Sequence, residues 1–160
     1  VYYSILRSKI NHRNHRKIAV IDGKIGFIGG INIGENYLKG NHLGNWRDMQ
    51  LKIIGPAVHS LQTIFLKDWV FVTKKDVTSY DLFPKFRYAG NTTMFIAPSG
   101  PDNKLTNLEF ILFSLITSAE KRLYIQTPYF IPDDPLLFAL KSAALKGVDV
   151  KIILPLKSDL

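Results

Sequence analysis

Cysteine is absent from these 160 residues. That excludes disulfide staples, thiolate metal ligands and a thiol nucleophile. Acidic side chains are also few: 13 Asp and Glu stand against 21 Lys and Arg, a formal charge of +8. The imbalance favours an anionic partner, and nucleic acid and an anionic lipid surface both qualify; the bland alternative is a solvated basic surface. No apolar run reaches the roughly 20 residues of a membrane span, and the first residues lack the layout of a signal peptide, so the chain as written reads as soluble or peripheral. An initiator Met is missing too. The chain opens VYYSILRSK and ends KIILPLKSDL just after a strand-like run, which reads as a piece of a longer protein. What is present, 46% hydrophobic residues, suffices for one core of ordinary size.

Residues 1–14 show no periodicity and read as an approach loop. Lys17 to Ile21 is β-branched and apolar, Asp22-Gly23 is a hairpin turn signal, and Lys24 to Ile28 supplies the return strand. Gly29 and Gly30 follow where something approaches the backbone closely, and Asn32 stands at the start of a short helical segment. Residues 39–47 read as loop, and Asp48 to Ile54 as a half-buried strand. Gly55 breaks that strand. Pro56 is then placed as the first residue of a helix whose apolar face is Val58, Leu61, Phe65 and Trp69, with His59 as surface or cap decoration.

Residues 73–90 lose the pattern and read as a connection. Beyond it, Thr92 to Ala97 suggests a strand, and Pro98 to Asp102 is a dense turn cluster. Leu105, Leu108, Ile111, Leu112, Leu115, Ile116 and Ala119 form a helical stripe expected to pack in the core. A strand at Leu123 to Thr127, a helix from Pro135 to Lys146 stopped by Gly147 and a buried strand at Val148 to Leu154 make a βαβ unit with locally parallel strands and a right-handed crossover. Ligands collect at the C-terminal strand ends of such sheets, so Thr127, Pro128, Tyr129 and Phe130 are a candidate pocket wall, with aromatic loop packing the alternative.

The chemistry concentrates in His15 to Asn32, HRKIAVIDGKIGFIGGIN. His15 and Lys17 are two apart on a predicted strand and share a face. An ammonium beside an imidazole repels a metal ion but suits a phosphate, which the Lys neutralises while the imidazole attacks phosphorus or moves a proton. Asn32 can add a neutral donor to the same oxygens. By parity Asp22 falls on the opposite face, better suited to holding the turn than to touching substrate. Asp48, in the next strand, could fix the imidazole tautomer. His12 and His15 at a three-residue offset could suggest zinc, but no third ligand is evident, so no metal site is expected.

The string H-x-K-x4-D-x6-G-G-x-N resembles the HKD signature of the phospholipase D superfamily. With its flanks, NHRNHRKIAVIDGKIGFIGGINIGENYL, WRDMQLKIIGPAV, LQTIFLKDW, the Ser99-Gly100-Pro101-Asp102 turn and LYIQTPYFIPDDPLLFALKSAALKGVDVKIILP, nearly the whole chain is similar to the bacterial cardiolipin synthases. The resemblance implies a partial α-β-α sandwich of phospholipase D type. Residues 1–72 would be the C-terminal part of a first half bearing the motif, 73–90 a connection, and 91–160 the N-terminal part of a second half. It implies a metal-independent, cofactor-free transfer through a phosphohistidine, turning two phosphatidylglycerols into cardiolipin and glycerol at a bacterial membrane. His15 would be the nucleophile, Lys17 and Asn32 the phosphoryl ligands, Asp22 the motif's carboxylate and Asp48 the residue orienting the His.

The second motif of that family is not in this chain. His42 is followed by Leu43-Gly44 and His59 by Ser60-Leu61, so one H-x-K occurs, at His15. The chain alone is therefore expected to be inactive unless a second half, or a second copy, supplies the other His. Two alternatives stand beside this reading. One is a dimeric phosphodiesterase or endonuclease of the same superfamily, which suits the +8 charge but not WRD, SGPD and TPYFIPD. The other is a non-catalytic module that binds anionic membranes.

Overall fold

The computed structural model describes residues 14–40, 42, 44–78, 80–100 and 107–156. The approach loop before Asn14, Pro101 and Asp102 of the turn cluster, and Leu105 lie outside them. The fold is mixed α/β, in two compact units, 1–96 and 97–160.

In the first unit β1 (Ile18–Ile21), β2 (Ile25–Gly29) and β3 (Gln50–Ile54) form an antiparallel sheet in the order β1-β2-β3. The predicted hairpin is present. Asp22 and Gly23 both take positive φ, 53° and 62°, and Lys24 N–H donates to the Ile21 carbonyl at 3.0 Å. That left-handed pair matches the twist of the strands it joins, and Asp and Gly tolerate it where β-branched residues would not. Ile21 pairs with Ile25 and Ile18 with Ile28 across the hairpin, while Gly29 pairs with Gln50 and Ile25 with Ile54 in the next ladder. Alternation then sends Ile18, Val20, Gly26, Ile28 and Ile53 to one face and Ala19, Ile21, Ile25 and Phe27 to the other.

A short helix α1 (Asn36–Lys39) precedes β3, and α2 (Ala57–Thr73) follows it and packs across all three strands. Pro56 caps α2 at φ −57°, one residue ahead of the expected position. Val58 and Leu61 are fully buried and with Ile53 make the core, ringed by Ile18, Val20, Ile28, Ala57 and Ile96. The expected face fails further along: Phe65 and Trp69 are 43% and 48% exposed and stack on one another, while burial continues through Gln62 and Ile64. Length explains Trp69: a strand of 5 residues spans about 17 Å and a helix of 17 about 26 Å, so the last turns of α2 overrun the sheet, while Phe65, about 12 Å along the helix, lies within that span and stacks on Trp69.

The connection after α2 folds back on this unit through a 3-10 turn, Tyr80–Leu82. A Cβ on Gly23 would meet Pro84 Cδ at 2.6 Å. His59 is not surface decoration: it is half-buried, edge-on to the rings of Phe83 and Phe86 at 5.5 and 5.4 Å, and its Nε2 is buried without a hydrogen-bond partner. The strand expected at Thr92 to Ala97 does not form. Ile96 packs into the first core, but no strand among the described residues offers this segment a ladder, and β-like alternation without a partner leaves the backbone in coil.

In the second unit α3 (Asn107–Thr117), β4 (Arg122–Gln126), α4 (Asp134–Leu145) and β5 (Asp149–Ile153) follow in order, and β4 and β5 are parallel as expected of βαβ. Asp133 caps α4, its Oδ1 accepting from Leu136 N–H at 3.1 Å, and Gly147 at φ 89° follows the helix. Ile116, Ala139, Leu140, Ala143 and Val148 are the core, with Leu123, Ile125, Phe130 and Val150 against it. Two expectations are corrected here. The α3 stripe is not mainly core, because Leu108, Leu112 and Leu115 are exposed and of the stripe only Ile116 is buried. β5 is not a buried strand either, its residues being mostly exposed, since the sheet has two strands among the described residues. A two-stranded sheet can bury only the residues facing its helices. No described helix is long and apolar enough to cross a membrane.

On the other sheet face Tyr124 Oη donates to Asp149 Oδ2 at 2.7 Å, and Lys151 Nζ donates to the same oxygen at 2.9 Å. The Tyr124 hydroxyl, then the Lys151 ammonium, hold the Asp149 carboxyl below its ordinary value, and Asp149 in turn raises Lys151. A depressed carboxylate contributes stability above its unfolded pKa and loses it as pH falls through the folded one. The raised ammonium contributes below its unfolded value and loses it as pH rises through the folded one. Both contributions are therefore intact near neutrality and small, because the cluster is exposed. A carbon-detected NMR titration should give Asp149 a midpoint below that of an unstructured aspartate, and Tyr124→Phe should move it up. An unshifted midpoint in the unsubstituted chain would contradict the geometry.

Candidate active site

The open end of the first sheet, away from the Asp22 turn, collects the residues of interest. Continuing the register one step past Gly29–Gln50 sets Gly30 beside Met49, and Gly30 N–H does donate to the Met49 carbonyl at 3.0 Å. One step further sets Ile31 beside Asp48. The β1–β2 register continued in the same direction sets Lys17 beside Gly29 and His15 beside Ile31, next to Asn32. Residues 15–17, 29–32 and 48 therefore share one end of the sheet. His15 and Lys17 lie just before β1 rather than on it, His15 exposed and Lys17 half-buried.

Lys17 folds back, its Nζ donating to the His15 carbonyl at 2.7 Å. An ammonium has three donors, so this bond anchors the side chain and leaves two for an anion. Asn32 Nδ2 donates to Tyr37 Oη at 2.9 Å, and the Tyr37 ring meets Trp46 edge-on at 5.3 Å. Tyr37 thus orients the amide, a role the spacing of the motif did not suggest. Asp48 lies against Gly30, where the carboxylate fills the space a Cβ would take, and its Oδ1 accepts from Met49 N–H at 2.7 Å. It sits two residues before β3, not within it, and no hydrogen bond joins it to the His15 imidazole among the described residues.

Asp22 is at the far end. Five residues of strand separate it from Lys17, about 16 Å, so the two cannot hold one phosphate. At the second unit's strand ends Thr127 N–H donates to the Ile153 carbonyl at 3.2 Å, and Thr127 Oγ1 donates to the Tyr129 carbonyl at 2.9 Å. Tyr129 is exposed and Phe130 packs on the core, so this loop is structured by its own contacts.

One group went unread in the sequence. Asp68 on α2 accepts from Asn14 Nδ2 at 2.8 Å and takes Arg16 with both oxygens, at 2.8 and 3.0 Å; Arg16 N–H in turn donates to Asn14 Oδ1 at 2.9 Å. The two residues flanking His15 are thereby tied to α2. The available signal was a carboxylate seven residues after Leu61, on the stripe that faces the core.

The first unit thus carries a His and a Lys at the open end of an antiparallel sheet with a donor amide at the same end, and the second unit is a parallel βαβ unit. Residues 112–160, in the second unit, match the family described as cardiolipin synthase, PLD-like domain. The chain is 48% identical to cardiolipin synthase 2 of Bacillus cereus, over 99% of its own length and 32% of that relative's. It is 46% identical to the cardiolipin synthase of Staphylococcus aureus over 97% of its length and 32% of the relative. For that of Listeria innocua the identity is 44%, over 97% and 33%. Over nearly its whole length the chain is similar to these cardiolipin synthases, and it spans about a third of the length of the curated relatives it matches.

Proposed function

We propose that the chain supplies one catalytic half-site of a cardiolipin synthase-type phosphatidyltransferase. The observation that supports the reading is the backbone register, which brings His15, Lys17 and Asn32 to one end of the sheet, with the His15 side chain exposed. In the proposed reaction the imidazole lone pair forms a bond to phosphorus of a first phosphatidylglycerol. The phosphorus–oxygen bond to its glycerol head group breaks, and a second His, from another half or another copy, gives the departing oxygen a proton. That same His then takes the proton from a hydroxyl of a second phosphatidylglycerol, whose oxygen displaces the imidazole to give cardiolipin. Lys17 and Asn32 hold the non-bridging oxygens and offset the charge that develops on them. Asp22 belongs to the turn that sets the hairpin register, and Asp48 to the support of Gly30 and β3. The partner is an anionic phospholipid, and the reaction takes place at a bacterial membrane surface.

The test is to incubate the chain with labelled phosphatidylglycerol vesicles, alone and together with a polypeptide carrying a second H-x-K half, without metal. A parallel sample receives supercoiled plasmid. Cardiolipin in the combined lipid sample, little from the chain alone and intact plasmid are expected. Plasmid nicking without lipid product would overturn the assignment in favour of a nuclease, and vesicle binding with neither product would favour a non-catalytic module.

A further inference from the structure

We infer that Asp68 is the positioning residue of this site: by holding Asn14 and Arg16 together it fixes the backbone on which His15 rides. The inference rests on the reading of His15 as nucleophile. Three facts support it. His15 lies outside β1, so no ladder bond fixes its backbone from the strand side. The residues on either side of it converge on a single carboxylate, and they are also bonded to one another, which closes a small ring of hydrogen bonds around position 15. Asp68 and Arg16 are about one-third exposed, at 35% and 28%, so the pair is partly shielded and its geometry is held more tightly than that of a surface pair such as Lys39–Glu35, at 73% and 82%.

The consequence follows from alternation. Arg16 reaches toward α2, on the side to which Ile18 and Val20 also point, so gripping it from α2 holds the opposite face of the segment, that of residues 15 and 17, in register. Asp68 lies in the last turns of α2, and its hydrogen bonds reach residues 14 and 16, before β1.

The experiment compares Asp68→Ala, Asp68→Glu and Arg16→Lys with the unsubstituted chain in two measurements. Backbone relaxation by NMR on the chain should show residues 14–17 ordered, with order parameters near 0.85, and falling below about 0.6 in Asp68→Ala while the β2 and α2 amides stay unchanged. Asp68→Glu, which keeps the carboxylate, should recover most of the order, and Arg16→Lys, whose shorter side chain carries the charge on a different atom from the Nη1 that meets both oxygens, only part of it. In the combined lipid assay, Asp68→Ala should lower kcat about 10- to 100-fold with KM changed less than about twofold, since misplacing a nucleophile by about an ångström costs that much. Rigid residues 14–17 in Asp68→Ala would overturn the inference. If Asp68→Ala fails to fold, an unaltered order in Arg16→Lys overturns it equally. Loosened residues 14–17 with unchanged kcat, in an assay where His15→Ala is also fully active, would instead count against His15 as nucleophile and leave the grip itself established.

Discussion

Replacing His15 with alanine should reduce phosphatidyl transfer about a thousandfold or more in the combined assay, because removing a covalent nucleophile removes the step rather than weakening it. Lys17→Ala should be less severe. Lys17 anchors to the His15 carbonyl and, in the proposed reaction, shares the phosphoryl oxygens with Asn32, so its loss would leave part of the charge stabilisation in place. His15→Ala should not affect folding: the side chain is exposed and makes no contact in either core. Circular dichroism and urea unfolding identical to the unsubstituted chain, beside lost transfer, would separate chemistry from stability. A His15→Ala chain retaining more than a few per cent of the rate would refute covalent catalysis at this position.

The second large effect is on stability. Leu61→Ala should destabilise the first unit by about 3 kcal/mol, the middle of the range for emptying a fully buried leucine site. Leu61 is 0% exposed, at the centre of the α2 contact with the sheet. The strand beneath offers it a glycine: a Cβ on Gly26 would stand 2.8 Å from Leu61 Cδ1, so the leucine occupies the space the glycine leaves. Alanine cannot reach the sheet there, and the strands, held by their ladders, cannot collapse to meet it. Both tryptophans, Trp46 and Trp69, lie in this unit, so their fluorescence follows its unfolding without interference from the other. The urea midpoint should fall with an unchanged slope. A loss below about 1 kcal/mol would mean that the site relaxes as no close-packed core does.

How far the sequence discloses this molecule depends on what each signal needs in order to act. The hairpin was legible in detail because Asp22-Gly23 is a local signal: the left-handed turn is decided by two residues and no distant partner. The βαβ unit was legible for the same reason, through the stop at Gly147 and the apolar runs on either side of the helix. Expectations that depended on a partner failed. Thr92 to Ala97 alternates like a strand but has no ladder, and the α3 stripe is apolar but largely uncovered among the described residues. Hydrophobic period identifies a face that is suited to burial, not the element that buries it.

The site divides in the same way. His15, Lys17 and Asn32 belong to one short string, and the hairpin brings its ends to one end of the sheet through a register already set by the turn. Asp48 lies at the same end of the sheet, where its carboxylate supports Gly30 and Met49. Asp68 escaped because its partners are 52 and 54 residues away, and a lone Asp on a helix resembles any solvated charge until the helix is docked. Tyr37 escaped similarly, since a tyrosine five residues after Asn32 has many possible uses and only one is realised.

The most direct test of the account is to trap the covalent species. The chain is mixed with labelled phosphatidylglycerol and the second H-x-K half, quenched in alkali, where phosphohistidine survives and most other phosphoamino acids do not, and digested for mass spectrometry. The account predicts a phosphate-bearing adduct on the peptide containing His15, localised to that ring and lost in His15→Ala. Cardiolipin formed at an undiminished rate with no adduct at His15, or with the adduct on another residue of this chain, would contradict it.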